Sequence, residues 1–486
     1  MASAVSQTSL YTIANILRHI SSLIMLPIYT RYLTPSDYGT VELMTMALDF
    51  TGIIVCNRIG EAIFRYYSLA ETSGEKKQIM STAFFLGVGI NALGFMILIL
   101  GSPWLSDFVS DQPDFQSLFI LFAAVLIFEA LTTIPIIYMR LRNKAQAYLV
   151  VSVIKLSLQL SFSLYFVVYK ELHVEGVIYS AFLSNLIVGT ILSIYLLKNT
   201  GVRFMPAVAW KIFKFSLPMV FVASASFVTT FGDRFFLRQY GNLEDVGIYS
   251  LAYKFGFLFV ALAWDPFFKF WEGRRYEVYK DEDGRDLHFG NMFRRINAYV
   301  LFIALGFCAF IPEVIQLMAA PEFWDAAYYA PFIVFSFVFY AWTMYFNFGI
   351  FLHEKTKLLA YCEIISAVII TSLYALLIPS YGLAGAVAST FLGYVIKFIL
   401  VYFTAQKLFT VKGNWGETLP LAVIAGTMVY VFSFFHELSL QNVAIKAALI
   451  FCFAVYTWRI VLQSSDKAEA IALICAIFRR LSGRSV

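Results

Sequence analysis

The sequence predicts an all-α, polytopic membrane protein of about fourteen transmembrane helices: two six-helix lobes followed by two further C-terminal helices. Three observations carry this. Of 486 residues, 60% are hydrophobic and only 14% charged, whereas a soluble chain carries about a quarter charged residues. Apolar runs of about twenty residues, the length that crosses a bilayer core, recur from one end to the other. Landmarks of the first two hundred residues also return further on at nearly one offset.

The apolar runs place spans near 10–28, 41–57, 79–100, 117–138, 148–168, 176–197, 212–231, 246–266, 296–311, 329–351, 358–378, 383–404, 418–435 and 442–461. The N-terminus has no basic region ahead of its first run and no small-residue cleavage site, so that run reads as an uncleaved span rather than a signal peptide. With the N-terminus inside, alternate connections hold 27 Lys and Arg, against four (Arg31, Lys170, Arg234, Arg238) in the opposite ones. The positive-inside rule then puts both termini in the cytoplasm. The formal charge of +5 is topology by this reading, not a nucleic-acid footprint. The five cysteines are scattered without a CxxC pair, and neither His353-Glu354 nor His436-Glu437 is followed by a metalloprotease histidine. No metal site and no cofactor motif is expected.

The first span carries Arg18 and His19 near its middle, and Thr8, Tyr11, Asn15, Arg18 and Ser22 recur at spacings of three and four. On a helix they form one polar stripe on an apolar rod. Such a stripe faces protein or water, not lipid, and either glues helices together or lines a cavity. After this span comes the turn Arg31-Tyr-Leu-Thr-Pro-Ser-Asp37-Tyr-Gly39, and near the end of the seventh span comes Arg238-Gln-Tyr-Gly-Asn-Leu-Glu-Asp245-Val-Gly247. The arginines are 207 apart. Lys144-Ala-Gln-Ala147-Tyr148 matches Lys357-Leu-Leu-Ala360-Tyr361 at 213, and Gly176, Ser180, Phe182 and Leu183 match Gly385, Ser389, Phe391 and Leu392 at 209.

A six-span unit is therefore read as duplicated, over 1–200 and 206–408. Residues 409–462 add two spans, and 463–486 form an amphipathic cytoplasmic tail. Six is even, so both copies enter the membrane the same way, related by a pseudo-two-fold along the membrane normal. Parallel repeats place substrate between the lobes and transport by rocking. The longest hydrophilic connection, 269–295, reads as a solvated loop with an amphipathic start held at the interface by Trp271 and Tyr276.

Further stripes follow the same spacing: Glu42, Thr45, Asp49, Gly52 and Cys56 in the second span, and Tyr148, Ser152, Lys155, Gln159 and Ser163 in the fifth. The second lobe offers Ser226, Thr230 and Asp233, then Tyr253 and Lys254, then Glu363 and Ser366. Polarity at equivalent places in both lobes favours a water-filled cavity over a seam. Arg18, Lys155 and Lys254 make it partly cationic, which suits an anionic ligand, with Asn15, Gln159 and Tyr253 beside them. Each cation has an alternative as an ion pair with Asp49, Glu129 or Glu363, and these carboxyls could also couple transport to protons. Asp233-Arg234 reads as a helix-end pair or snorkelling group. Pro27 and Pro218, in corresponding first helices, are candidate hinges.

The opening NILRHISSLIMLPIYTRYLTPSDYGTVELM, the Lys214-Phe-Ser-Leu-Pro218 run, Asp233-Arg234 and Asp245-Val-Gly-Ile-Tyr249 resemble the polysaccharide-transporter (Wzx-type) flippases. These belong to the multidrug/oligosaccharidyl-lipid/polysaccharide exporter superfamily. The resemblance spans helices one to twelve. It implies a flippase, not an enzyme, that turns an undecaprenyl-diphosphate-linked oligosaccharide from the cytoplasmic to the outer leaflet of a bacterial inner membrane. The cargo would be an O-antigen, capsule or exopolysaccharide repeat, handed on to polysaccharide polymerase and export machinery. Arg18 is the first choice for the diphosphate, then Lys155 and Lys254. Of the outer-turn set (Arg31, Asp37, Gly39, Arg238, Gly247), Arg31, Asp37 and Gly39 belong to a recurring pattern, with Asp37 a candidate cap for the second span. The alternatives are a small-molecule or cation exporter or a lipid II flippase of the same superfamily, and an integral-membrane polysaccharide polymerase or ligase, which the short outer connections disfavour.

Overall fold

The computed structural model describes residues 24–55, 59–112, 115–281, 284–435, 439–464 and 467. Among them there is no strand, and the helices run in chain order as follows. We number them α1 (24–32), α2 (Pro35–Ile54), α3 (Gly60–Leu69), α4 (Ser73–Val109), α5 (Gln116–Leu141), α6 (Ala145–Tyr169), α7 (His173–Thr200) and α8 (Pro206–Tyr240). There follow α9 (Leu243–Lys280), α10 (Arg285–Met318), α11 (Ala326–Leu352), α12 (Thr356–Gln406), α13 (Trp415–Phe432) and α14 (Leu440–Val461). Eleven of these, α4 to α14, are long and apolar enough to cross a membrane.

The expected spans map onto them closely. α12 takes two, because Gly382 breaks its helical geometry at φ 53°, a left-handed conformation that glycine adopts without a Cβ penalty. α2 takes the second span, though it carries three carboxylates (Asp37, Glu42, Asp49). Most of the first span, with Asn15, Arg18 and His19, lies outside the described residues, as do Cys56, Arg58 and the tail from 468.

Local chemistry sets the helix starts. Thr34 accepts from the Asp37 amide and Asp37 accepts from the Thr34 amide, both at 3.1 Å, with Pro35 in the first turn. This is a reciprocal capping box, worth about 1 kcal/mol, in which Thr34 is the cap itself and Asp37, read as the cap from the sequence, is its partner in the first turn. At the start of α9, Asn242 accepts from the Asp245 amide at 2.7 Å. Thr34, Asp37 and Gly39 thus return as Asn242, Asp245 and Gly247, every one displaced by 208. Thr72 and Glu75 cap α4 in the same reciprocal way.

The chain divides into two compact units: Met1–Leu251 with Met318–Phe323 and Glu363–Ser389, and Ala252–Leu317 with Trp324–Cys362 and Thr390–Val486. In the first, a core of Ile63, Tyr67, Phe84, Ile134, Ile137, Leu196 and Ile212 joins α3, α4, α5, α7 and α8. The connection into α8 is tied to α4, since Ser81 and Thr82 accept from the Arg203 and Met205 amides at 2.8 and 3.1 Å. α2 and α9 meet within this unit at Gly39 and Gly247. A Cβ on either would run into backbone of the other helix, the Leu243 carbonyl in one case and the Pro35 carbonyl in the other.

The second unit is packed with aromatic rings. Phe293 sits among Trp342, Tyr345, Phe346 and Trp415 at 4.7–6.1 Å between centroids. Here the expectation for 269–295 needs correction. The stretch is helical on both sides of 282–283 rather than a solvated loop. Trp271 is fully buried and stacks on Tyr345 at 5.6 Å instead of anchoring an interface. The reason is spacing: Phe268, Trp271 and Arg275 fall on one helix face, and Arg275 reaches Asn347 at 3.1 Å while lying over the Phe348 ring. Tyr276 is exposed at its outer side, with its ring edge-on to Phe348 at 5.2 Å.

Candidate functional site

The polar stripe of the fifth span has a definite setting. Of the most apolar window of α6 only 11% is buried. Val150, Val153, Ile154 and Leu164, each more than 40% exposed, dominate its bare side, which also carries exposed Ser157 and Ser161, while Tyr148, Ser152, Lys155 and Gln159 lie on the opposite side and are partly buried. Apolar exposure on one side and polar groups on the other is what a helix shows between lipid and a wet interior. Ser163, the last residue of the stripe, is buried and within 3.2 Å of the Tyr29 hydroxyl. The stripe therefore points towards α1. Tyr29 stands seven residues after Ser22, the last member of the first span's stripe.

α2 adds a second polar face. Thr45 and Asp49 are exposed and Glu42 partly so, while Leu43, Met44, Ala47 and Leu48 are buried on other sides. Gly52, grouped with them from the sequence, is buried. Glu129 is exposed on α5, and Glu363 on α12 is buried beside buried Ser366.

In the second unit Tyr253 is completely buried, with its hydroxyl 3.2 Å from that of Tyr394 and its ring against Phe257 and Phe337. Lys254 beside it is partly exposed. One turn after Tyr394 on α12 lies Lys397, 5% exposed. Sequence reasoning missed this cation, although a lone charge in Tyr394-Val-Ile-Lys397-Phe-Ile-Leu is a readable signal.

The motif residues have other work. Asp233 and Arg234 are not snorkelling: they pair at 2.7 Å with 0% and 2% exposure. Asp233 accepts from the Tyr249 hydroxyl at 2.7 Å, and Arg234 donates to the Thr230 carbonyl while lying over the Tyr249 ring. Arg238 donates to the Phe108 carbonyl at 2.7 Å and to Asp111 at 2.6 Å, fastening the end of α8 to the end of α4. Arg31 is exposed. α1 and α8 continue through Pro27 and Pro218.

A second buried pair lies on α10 and α14. Lys446 donates to Glu313 at 2.7 Å, with 0% and 7% exposure. Arg294, also buried, reaches Glu417 on α13 at 3.4 Å, and Asn297 links Trp342 to the Thr418 carbonyl. These contacts bind the two last helices to the second unit.

Among the described residues eleven helices are long and apolar enough to cross a membrane, which marks a multi-pass membrane protein. Among solved structures the chain is similar to a lipid II flippase, MurJ, in an inward closed conformation, with TM-score 0.71 and 12% identity over 94% of this chain and 99% of that one. It is also similar to an inward-facing multidrug resistance MATE family transporter (TM-score 0.64, 14% identity, 82% and 97% covered) and to a MATE in complex with MaD3S (0.56, 16%, 82% and 95%). A search of curated proteins by sequence gives no match. The polysaccharide biosynthesis protein family model matches residues 28–328, and the chain belongs to that family.

Proposed function

We propose that this protein is a flippase that carries an undecaprenyl-diphosphate-linked oligosaccharide from the cytoplasmic to the outer leaflet of a bacterial inner membrane. Both termini are cytoplasmic by this reading, and the repeats over 1–200 and 206–408 rock against each other. The observation that carries the proposal is the polar face of α6, with Lys155 and Gln159 turned from the lipid-exposed side, in a chain of a polysaccharide biosynthesis family. A cation on a wet face inside a membrane suits an anionic headgroup.

Arg18 and Asn15 of the first span, Lys155 and Gln159 of α6, and Tyr253 and Lys254 of α9 are the proposed cargo contacts. Asp49, Glu129 and Glu363 are the proposed coupling or ion-pairing carboxylates, and Pro27 and Pro218 the proposed hinges. Polymerase and export machinery would receive the product. The likeness to a lipid II flippase over almost the whole chain keeps lipid II as the second reading. A small-molecule exporter fits less well with the cations.

The test is leaflet exchange of a fluorescent undecaprenyl-diphosphate oligosaccharide in proteoliposomes, comparing the native chain with Arg18→Ala and Arg18→Lys. Exchange by the native chain that survives Arg18→Lys better than Arg18→Ala is the expected result. Folded native protein that moves no lipid-linked sugar but exports an organic cation would overturn the proposal.

A further inference from the structure

Four cations in the first unit are each held over an aromatic ring. The Arg65 guanidinium lies 5.0 Å from the Phe215 ring centre and that of Arg140 5.2 Å from Phe64. The Lys144 ammonium is 5.4 Å from the Tyr195 ring and donates to its hydroxyl at 3.0 Å. Lys76 stands 5.7 Å over Tyr67. All four rings belong to one hydrophobic cluster, Tyr67 as a buried member and Phe64, Tyr195 and Phe215 packed against it.

Chain order puts the four cations on one side of the membrane. They sit in the α2–α4 connection, at the start of α4, at the end of α5 and before α6. This is the side that the basic residues favour. Arg65, Arg140 and Lys144 are exposed and Lys76 is partly so.

Basic residues that serve topology alone are ordinarily solvated or paired with carboxylates. These are neither. Among the described residues none of the four makes an ion pair. Glu61, one turn before Arg65, forms none with it, and Glu75 is occupied with the Thr72 and Glu71 amides. Stacking on a ring fixes a cation from its face and leaves the edge N–H donors of a guanidinium free to point outward. The result is a fixed set of donors at the level where the apolar core ends, which is where a lipid carries its phosphate.

We propose that Arg65, Arg140, Lys144 and Lys76 form a loading site, separate from the polar face of α6, for the diphosphate of a lipid-borne cargo before it enters the protein. The proposal rests on the cargo reading above. A diphosphate, which brings two negative charges on one headgroup, gains more from cations gathered at one end of the helices than a phospholipid with one. Arginine can grip the phosphate oxygens in pairs, and the rim of Phe64 and Phe215 offers apolar surface to the first part of the lipid chain.

The experiment uses the full chain in nanodiscs of neutral lipid and measures retention of undecaprenyl diphosphate, with phosphatidylglycerol and inorganic diphosphate as comparison probes. Variants are Arg65→Gln with Arg140→Gln, the matching Lys pair, and Phe64→Leu, which removes one ring and keeps every charge. We expect the Gln pair to hold undecaprenyl diphosphate about tenfold more weakly, for the loss of charge-assisted hydrogen bonds, with the Lys pair and Phe64→Leu between. Inorganic diphosphate should bind less well than the lipid form. In the exchange assay the Gln pair should raise the half-saturating cargo concentration and leave the saturated rate alone.

Equal retention of undecaprenyl diphosphate by native, Gln-pair and Phe64→Leu proteins would overturn the proposal and leave these residues to topology. Equal retention of phosphatidylglycerol would also overturn it, making the patch a general anionic-lipid surface. Thermal unfolding checks each variant, and the Lys pair and Phe64→Leu carry the test if the Gln pair does not fold. Because the probe has no sugar and need not cross, native protein that holds it yet flips nothing would sink the flippase reading alone. Exchange with no retention would sink the loading site alone.

Discussion

Two kinds of intramembrane charge can be compared directly. Lys446 with Glu313, and Arg234 with Asp233, are shut in as pairs with at most 7% exposure, whereas Asp49 on α2 is exposed and Lys155 on α6 partly so. The first kind has spent its charge on a neighbour at 2.7 Å and holds helices together. The second kind has neighbours too but keeps open surface. A charge inside a membrane is therefore a pointer to function only after its burial is known, because the same residue types serve as rivets.

The comparison is sharpened by variants whose effect on stability should fall in a definite order. Gly247→Val should be the most damaging, since its side chain meets the Pro35 carbonyl with no flexible group to move aside. Loss of folded protein in size-exclusion profiles is the expected outcome, and a well-folded variant would mean that α2 and α9 can separate cheaply. Lys446→Met alone should cost about 3–5 kcal/mol by leaving Glu313 buried without its cation. Adding Glu313→Leu should restore most of that in denaturant unfolding, and a double variant no better than the single would break the rivet account.

Tyr249→Phe comes next. It removes the hydroxyl donated to Asp233 and should cost about 1–3 kcal/mol, read as a lower melting temperature. Lys155→Gln should be smallest for stability, within about 0.5 kcal/mol, yet should slow cargo exchange about tenfold by removing a charged contact. If it lowered stability as much as Lys446→Met, the distinction between rivet and ligand contact would be lost.

How much of this was readable beforehand depends on the range of the interaction. Caps are local: Thr34 and Asp37 are three residues apart, and their pattern announces α2 before any fold is known. The paired landmarks were legible because such a search compares the chain with itself, but that Gly39 and Gly247 touch each other was not, since an offset carries no distance. Lys446 and Glu313 are 133 residues apart, and nothing local in either run chooses the other as partner. Trp271 was misread for a related reason. An aromatic residue near a membrane boundary has the same neighbours in sequence whether it faces headgroups or stacks on Tyr345. The polar face of α6 lay between these cases: its spacing was visible, but only the exposed Val150, Val153, Ile154 and Leu164 on the other side gave it a direction.

The meeting of Gly39 and Gly247 has one more consequence. Where backbone lies on backbone, attraction comes from many atoms at contact and fades within about an ångström of separation. Such a joint has no half-open position. It behaves as a snap fastener rather than a spring, so motion that parts α2 from α9 should occur as discrete jumps between seated and released, visible as two populations rather than a continuum when the two helices carry a distance label.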